Sequence, residues 1–382
     1  MEFSFNEQQT LFRDAIRDFA AKEIEPIARE CDERGDFPLD LFRKLGDLGY
    51  LGVKFPTEYR GSEAGLASGA IMAEELSYAS PGIFLGVYVH IYLALSAIAA
   101  FGTDAQKDTY LRPGIAGETI SAWGFAEPDA GSDPAGMRTT AEKDGDHYVI
   151  NGSKILITNG DIADFVVVTT VTAPGQGFRG LSLLIVDRDT PGFVARRLQT
   201  MGMRAAHTAE LSFQDCRVPA TNLLAEENSG FASAMRTLTD GRVIAAGFAL
   251  GLGRAAFDRS LKFAQERSAF GQAIGNFQGL QWLFADMATR LEAARLLTHQ
   301  AAWRADQGLP NITESSMAKL FASETATEIA KTAVLIHGGA GFMMEHDIQR
   351  FYRDCMVLEI GEGTSHIQRN TIAHQLGLRR TV

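Results

Sequence analysis

Near the C-terminus, the segment IGEGTSHIQRN (360–370) sets a carboxylate, Glu362, between Gly361 and Gly363, just ahead of a helical pattern. Flanking glycines leave no side chain to block a ligand, so this acid could reach a substrate closely and act as a general base. The same acid could instead serve a helix start, where the macrodipole favours negative charge. A second segment, AEPDAGSDPAG (126–136), packs Pro, Gly, Ser and Asp immediately before a β-rich region. Consecutive backbone N–H groups in such a loop, with the Ser132 hydroxyl, can bind an anionic or carbonyl-rich ligand, or the loop can simply cross between domains. The eight histidines form no HExxH arrangement, and none pairs with a cysteine at ligand spacing, so no metal site is expected. The string Gly251-Leu252-Gly253-Arg254-Ala255-Ala256 superficially resembles a dinucleotide fingerprint. It lies inside a continuous helical pattern, however, with no strand delivering the glycines to a helix N-terminus, and reads as close helix packing.

The elements that must hold these residues divide the chain in three. Up to about residue 120 the apolar spacing is helical, as in Leu11, Phe12, Ala15, Ile16 and Phe19, and again in Leu39, Phe42, Leu45 and Leu48. Between about 121 and 227 the period changes to that of short strands: HYVINGSKILITNG reads as two strands joined at Asn151-Gly152, followed by DFVVVTTV, LSLLIVD, GFVARRL and AELSF. From 228 onward long apolar stripes return over 242–267, 278–307, 314–336 and 365–377, as expected of antiparallel bundle neighbours. The expected architecture is α+β: an N-terminal helical domain (1–120), a central antiparallel β domain resembling a barrel or sandwich (121–227) and a C-terminal four-helix bundle (228–382). With no helices alternating between the strands, a parallel nucleotide-binding sheet is not expected.

Composition narrows the function classes. The 382 residues carry 36 Lys plus Arg against 47 Asp plus Glu, a net charge of −11 with no basic tail, which argues against nucleic acid and against anionic lipid. Three scattered cysteines, Cys31, Cys216 and Cys355, form neither a disulfide framework nor a zinc spacing and fit a reducing cytosol. The start, MEFSFNEQQT, lacks the pattern of a secretion signal, so a cytoplasmic protein is expected. The run Ile83–Phe101 is long enough to cross a bilayer, but Tyr88, His90, Tyr92 and Ser96 interrupt it and no basic anchors flank it closely. It reads as a helix buried on all sides.

Eight segments then occur in a characteristic order: PTEYRG (56–61), AFGTDAQKDTYL (100–111), EPDAGSD (127–133), NGSKILITNG (151–160), DCRVPATNLL (215–224), ERSAFGQAI (266–274), HGGAGF (337–342) and EGTSHIQR (362–369). Together they make the sequence resemble the FAD-dependent acyl-CoA dehydrogenases from its first helix to its last. The resemblance implies removal of an α-proton from an acyl thioester while hydride leaves the β-carbon for FAD, giving a trans-2-enoyl thioester. Glu362 matches the family's base, and its backbone N–H matches one of the two donors to the thioester carbonyl. Some relatives carry the base beside the Arg that corresponds to Arg242; here that neighbour is Gly241.

For the cofactor, the resemblance assigns the backbone of Trp123, Phe125 and Ala126 to the flavin ring, Leu156 to its face, Thr158 to the neighbourhood of N5, and Ser132 to the flavin phosphate or the pantetheine. Arg267, Phe270, Gln278, Leu335, Gly338 and Gly339 match positions that reach the FAD of a neighbouring subunit, and Thr364 the adenosine end, which implies a homotetramer. Substrate contacts fall on Ser132, Leu85, Val89, Leu93, Arg242, Gly361 and Gly363, with His90 placed in the same acyl pocket or in the core. Several positions depart from the usual pattern: Leu156 stands for an aromatic residue, Ala126 for Thr, Leu335 for Gln, and Thr239-Asp240 alter the usual Asp-Gly pair. Gly361 stands where straight-chain enzymes carry Tyr, which suggests a branched, cyclic or bulky acyl group. Expected partners are an acyl-CoA and an electron-transferring flavoprotein. Alternatives are an acyl group on a carrier protein, an acyl-CoA oxidase, or a flavin monooxygenase of the same fold, the last disfavoured because Glu362 is retained.

Overall fold

A computed structural model describes residues 4–378. The chain opens with helices α1 (Glu7–Phe19), α2 (Glu25–Arg34), α3 (Leu39–Asp47), α4 (Gly65–Ala79) and α5 (Pro81–Tyr88). A π turn (Val89–Leu95) carries α5 into α6 (Ser96–Phe101), and two short helices follow, α7 (Asp104–Gln106) and α8 (Arg112–Ile115). The α5–α6 rod has a mean hydropathy of 2.0, yet 78% of its most apolar window is buried inside the protein. It is the core helix of this region, walled by α4 and by the long C-terminal helix. His90 is a satisfied core residue rather than part of the acyl pocket: its Nδ1 accepts the Ser121 N–H (3.0 Å), so Nε2 carries the proton and donates to the Gly114 carbonyl (3.0 Å). Burial lowers its pKa to about 4.

Strands β1 (Ser121–Gly124), β2 (Thr140–Asp144), β3 (His147–Ile157), β4 (Phe165–Val171), β5 (Leu181–Asp187), β6 (Phe193–Arg197), β7 (Ala209–Pro219) and β8 (Leu223–Leu224) form one sheet in the order β6-β7-β3-β2-β4-β5-β8, with β1 also on β4. The sheet is mostly antiparallel, but β1 and β2 each pair with β4 in parallel. Asn151-Gly152 is not a hairpin turn. It lies inside β3, where the register against β7 shifts between Ile150 and Gly152, and the turn comes earlier, at Gly145-Asp146. Gly152 has φ +143° and a Cβ there would fall 2.6 Å from Thr139 Cα, so the glycine serves a bulge and not a turn.

Helices resume with α9 (Gly230–Glu266), a tight hairpin β9 (Ser268–Ala269) and β10 (Gln272–Ala273), then α10 (Gln278–Asp306), α11 (Ile312–His337), α12 (Ile348–Ile360) and α13 (Ser365–Gln375). The apolar stripe from 242 therefore starts a full twelve residues late. Upstream of it, the first third of α9 is more polar; it begins against the sheet at Ser182 and the loop at Phe178. The sequence gives no sign of helix α12 because its buried face carries Arg350 and Asp354 while Tyr352 and Ile360 are exposed, which blurs the apolar stripe. The small residues of α9 are packing devices: a Cβ at Gly251 would sit 2.1 Å from the Glu74 carbonyl oxygen, so α4 and α9 touch backbone to backbone.

Helix α12 fastens the three regions together. Asp354 accepts the Met203 N–H from the sheet region, while Arg353 pairs with Asp32 of α2. Burial raises the Asp354 pKa to about 6, opposed by Arg350, the Met203 N–H and Arg353. A pKa raised by folding means that the folded chain holds this proton more tightly. The contribution is complete below the unfolded value near 4 and is lost as pH rises through about 6. Asp354→Asn imitates the protonated form, so its melting temperature should gain on the wild type between pH 5 and pH 8, by on the order of 2–4 °C. Thermal melts at both pH values check this; a difference independent of pH contradicts it.

Candidate active site

Helix α12 ends at Ile360, and the chain turns through Gly361-Glu362-Gly363 before α13. The turn puts Glu362 in the left-handed region (φ +58°), an uncommon conformation for a residue with a Cβ. Three buried contacts hold it there. Gln368 donates to the carbonyls of Glu362 and Gly363 (2.9 Å each), and Lys319 of α11 donates to the Gly363 carbonyl (2.9 Å). Thr364 accepts the Ile367 N–H as the N-cap of α13, so its hydroxyl is engaged in the turn itself.

The strained turn projects the carboxylate inward. Glu362 Oε2 is buried and has no hydrogen-bond partner, and the same holds for Arg242 Nε nearby in α9. Among the described residues, the Glu362 backbone N–H also finds no acceptor. Burial raises the carboxyl pKa above the usual carboxylate range, while Tyr88, Arg242 and Lys319 pull it back. Burial likewise lowers Lys319 to about 8 and depresses Arg242, with Glu362 opposing both. A buried, partnerless carboxylate beside a free N–H is costly unless a ligand uses them. It can take a proton from a carbon acid whose carbonyl the N–H holds.

The predicted residues fall into two places. Leu93 lies at the base, since a Cβ at Gly241 would come 3.5 Å from Leu93 Cδ2 and 3.1 Å from Glu362 Oε2. That spacing also shows why position 241 holds no second acid here: a side chain would enter the space of the first. Val89 is buried and Leu85 half-buried one and two turns back along the rod. The π turn between them resets the helical register by an extra residue, a feature common at functional sites. A Cβ at Gly361 would meet only the Val357 carbonyl oxygen at 3.3 Å, so that side of the turn is open.

On the sheet side, the Trp123 indole is buried and donates to Thr169, which leaves only its backbone for a ligand. Phe125 and Ala126 follow with their carbonyls taken by Lys154 Nζ (3.2 Å) and Ile155 N–H (2.9 Å). Lys154 and Glu127, both buried and 2.7 Å apart, pin this segment to β3, and Glu127 also receives the N–H groups of Arg138 and Thr139. A β3 irregularity between Lys154 and Ile157 turns Leu156 outward (φ +61°), leaving it 61% exposed beside half-buried Thr158. Ser132 is exposed on the loop below.

The other group lies elsewhere. Leu335 is sixteen residues along α11 from Lys319, about 24 Å away at 1.5 Å per residue. Phe263 stacks on His337 (centroids 4.3 Å apart), so the hairpin with Arg267 and Phe270 neighbours the Gly338–Gly339 turn. Gln278 starts α10 beside them. Arg267, Phe270, Gln278, Leu335, Gly338 and Gly339 are all exposed, far from this chain's own base. Sequence reasoning missed Tyr88, Lys319, Gln368 and the Glu127–Lys154 pair as parts of the site. Only Tyr88 left a signal, as a polar interruption of an apolar run.

Three family descriptions match the chain in order: acyl-CoA dehydrogenase, N-terminal domain (residues 6–118), middle domain (122–216) and C-terminal domain (228–377). A probable acyl-CoA dehydrogenase, YngJ, of Bacillus subtilis is 44% identical over 98% of this chain and 100% of its own length. A caffeyl-CoA reductase–Etf complex subunit, CarC, of Acetobacterium woodii is 39% identical over 97% of this chain and 99% of its own. The structure of butyryl-CoA dehydrogenase from Megasphaera elsdenii superposes with a TM-score of 0.95 at 36% identity, covering 98% of this chain and 100% of that one. A buried carboxylate oxygen without a partner, beside a turn open at Gly361, is an arrangement that suits a thioester substrate. The chain belongs to the acyl-CoA dehydrogenase family, the FAD-dependent oxidoreductases that act on the CH–CH bond of acyl-CoA thioesters.

Proposed function

We propose that this protein desaturates a branched, cyclic or otherwise bulky acyl-CoA at its α,β bond, with Glu362 as the base. The α C–H bond gives its proton to Glu362, the β C–H bond gives hydride, and the electron pair left at the α-carbon becomes the new C=C bond. FAD, when bound, supplies the hydride acceptor. The chain's own residues do the rest. The Glu362 N–H holds the thioester carbonyl and stabilises charge as it grows there. Burial keeps water from the carboxylate and raises its proton affinity, while Tyr88, Arg242 and Lys319 pull in the opposite sense. The observation that carries this reading is the buried, unpartnered Glu362 Oε2.

The acyl group would run along the rod past Leu93, Val89 and Leu85, with the open side of Gly361 giving width near the reacting carbons. Arg242 and Gly363 shape the turn around it. The backbone of Trp123–Ala126, with Leu156 and Thr158, would hold the flavin ring, Ser132 the phosphate or pantetheine, and Thr364 the adenosine end. Arg267, Phe270, Gln278, Leu335, Gly338 and Gly339 would complete the FAD site of another subunit in a homotetramer. CarC is named as part of an Etf complex, which supports an electron-transferring flavoprotein as the acceptor. Anaerobic mixing of the FAD-loaded enzyme with straight and branched acyl-CoA thioesters tests the reading. Flavin bleaching with an enoyl product is expected, fastest on branched or cyclic acyl groups. Best turnover on unbranched medium chains contradicts the bulky substrate, and no bleaching on any thioester contradicts the chemistry.

A further inference from the structure

Tyr88, the last residue of α5, faces the base across α9. Its ring is buried against Phe84, Tyr92 and Phe248, with centroids 6.3, 5.9 and 6.3 Å away, and cannot easily move. Its hydroxyl donates to the Gly241 carbonyl at 3.2 Å. A Cβ at Gly241 would lie 3.1 Å from that hydroxyl and 3.1 Å from Glu362 Oε2, so only the bare glycine lets phenol and carboxylate share one water-free space.

The phenol has one hydrogen and two acceptors in view. The Gly241 carbonyl belongs to a helix interior, where the ladder already uses it, and the bond to Tyr88 is long. The carboxylate oxygen is charged, and hydrogen bonds to ionised acceptors are roughly twice as strong as neutral ones. Rotation about the phenolic C–O bond, with a small shift of the Glu362 side chain whose Oε2 has no partner where it stands, redirects the hydrogen to the carboxylate. We propose that Tyr88 is a positioning residue for the base, its O–H turning from the Gly241 carbonyl to the Glu362 carboxylate and fixing which oxygen points at the substrate. This deepens the proposed function and rests on Glu362 being the base.

The titratable and charged groups facing this space are Arg242 from α9, Lys319 from α11, Tyr88 from α5 and Tyr92 in the π turn that follows it. Burial, with the Glu362 charge beside it, holds the Tyr88 phenol well above its ordinary range, so it remains a donor and never competes as a base. An O–H bond to the ionised carboxylate favours that form and opposes the upward push of burial.

Tyr88→Phe keeps the ring and removes the bond. In the FAD-loaded enzyme, the acid limb of the bleaching rate should move up by about one pH unit, a roughly tenfold loss at the acid end, with KM changed much less. A 3-oxoacyl-CoA gives a readout without turnover: its α-hydrogen is acidic but it has no hydride to lose. Formation of its enolate, followed by long-wavelength absorbance, should need a correspondingly different pH in the variant. Gly241→Ala is the second variant, since its methyl would part the two oxygens while leaving Tyr88 in place, and the same direction of shift is expected. Unmoved pH limbs and enolate titrations in both variants overturn the positioning role while wild-type bleaching still stands. A fall in rate with the pH profile unchanged also overturns it, because that is what a merely structural side chain would give.

Discussion

Glu362→Gln should bind FAD and fold as the wild type does, yet lose about 10²- to 10⁴-fold in the rate at which an acyl-CoA bleaches the flavin, the scale of a lost general base. Glutamine keeps the shape of the side chain and its backbone turn, and the three contacts that hold the turn come from main-chain carbonyls that the change leaves alone. It removes the charge and the basic oxygen that takes the proton, putting an NH2 group in its place. Stability should not fall, because burial of the charge outweighs the pull of Tyr88, Arg242 and Lys319 on the wild-type carboxylate, and the amide carries no charge to bury. The pH dependence follows from the same fact. Burial raises the pKa, only the ionised form is a base, and the rate in the wild type should climb with pH through that raised value. Stopped-flow bleaching across pH, beside thermal melts, separates the two effects. A variant that bleaches at the wild-type rate would place the base elsewhere.

How much of this was legible in the sequence depends on the length scale of the signal. Glu362 stood out because glycine on both sides is a local mark, and the turn that exploits it is equally local. The rod from Pro81 to Phe101 was readable as buried because periodicity and the absence of anchors are properties of one segment. Tyr88, Lys319 and Gln368 were not readable as parts of the site. Each lies in an otherwise ordinary helix, and it matters only because α5, α11 and α13 converge on one turn. The Asn151-Gly152 error has the same origin. The dipeptide is a strong turn signal, but the ladder of β3 with β7 carries the chain straight through it and absorbs the extra residue as a bulge. The apolar stripes give no hint of α12 for a related reason: its buried face includes Arg350 and Asp354, charges that only the fold makes tolerable.

Phe270→Asp should reduce both the assembly and its cofactor content. Phe270 sits at the tip of the β9–β10 hairpin with φ +54°, beside Gly271 at φ +80°, and is 95% exposed. A phenylalanine held out in the left-handed region, away from its own core, gains nothing from folding alone. Burying such a side chain is worth roughly 1.5–3 kcal/mol, which is available only from a second surface. Leu335 and Phe342 are also exposed in the neighbouring α11 and its terminal turn. Trp282, Leu296 and Trp303 continue an exposed stripe along α10 at steps of fourteen and seven residues, which returns to one helix face. Large apolar side chains left exposed on neighbouring elements are the kind of surface that contacts between chains bury. If copies of this chain meet there, an aspartate at the tip places a charge in that contact and in the FAD site proposed to be completed across it. Sedimentation should then show smaller particles than the wild type, and absorbance should show well under one FAD per subunit. A variant with wild-type mass and full FAD would mean that the hairpin touches neither, and Arg267, Gln278, Gly338 and Gly339 would lose their proposed role with it.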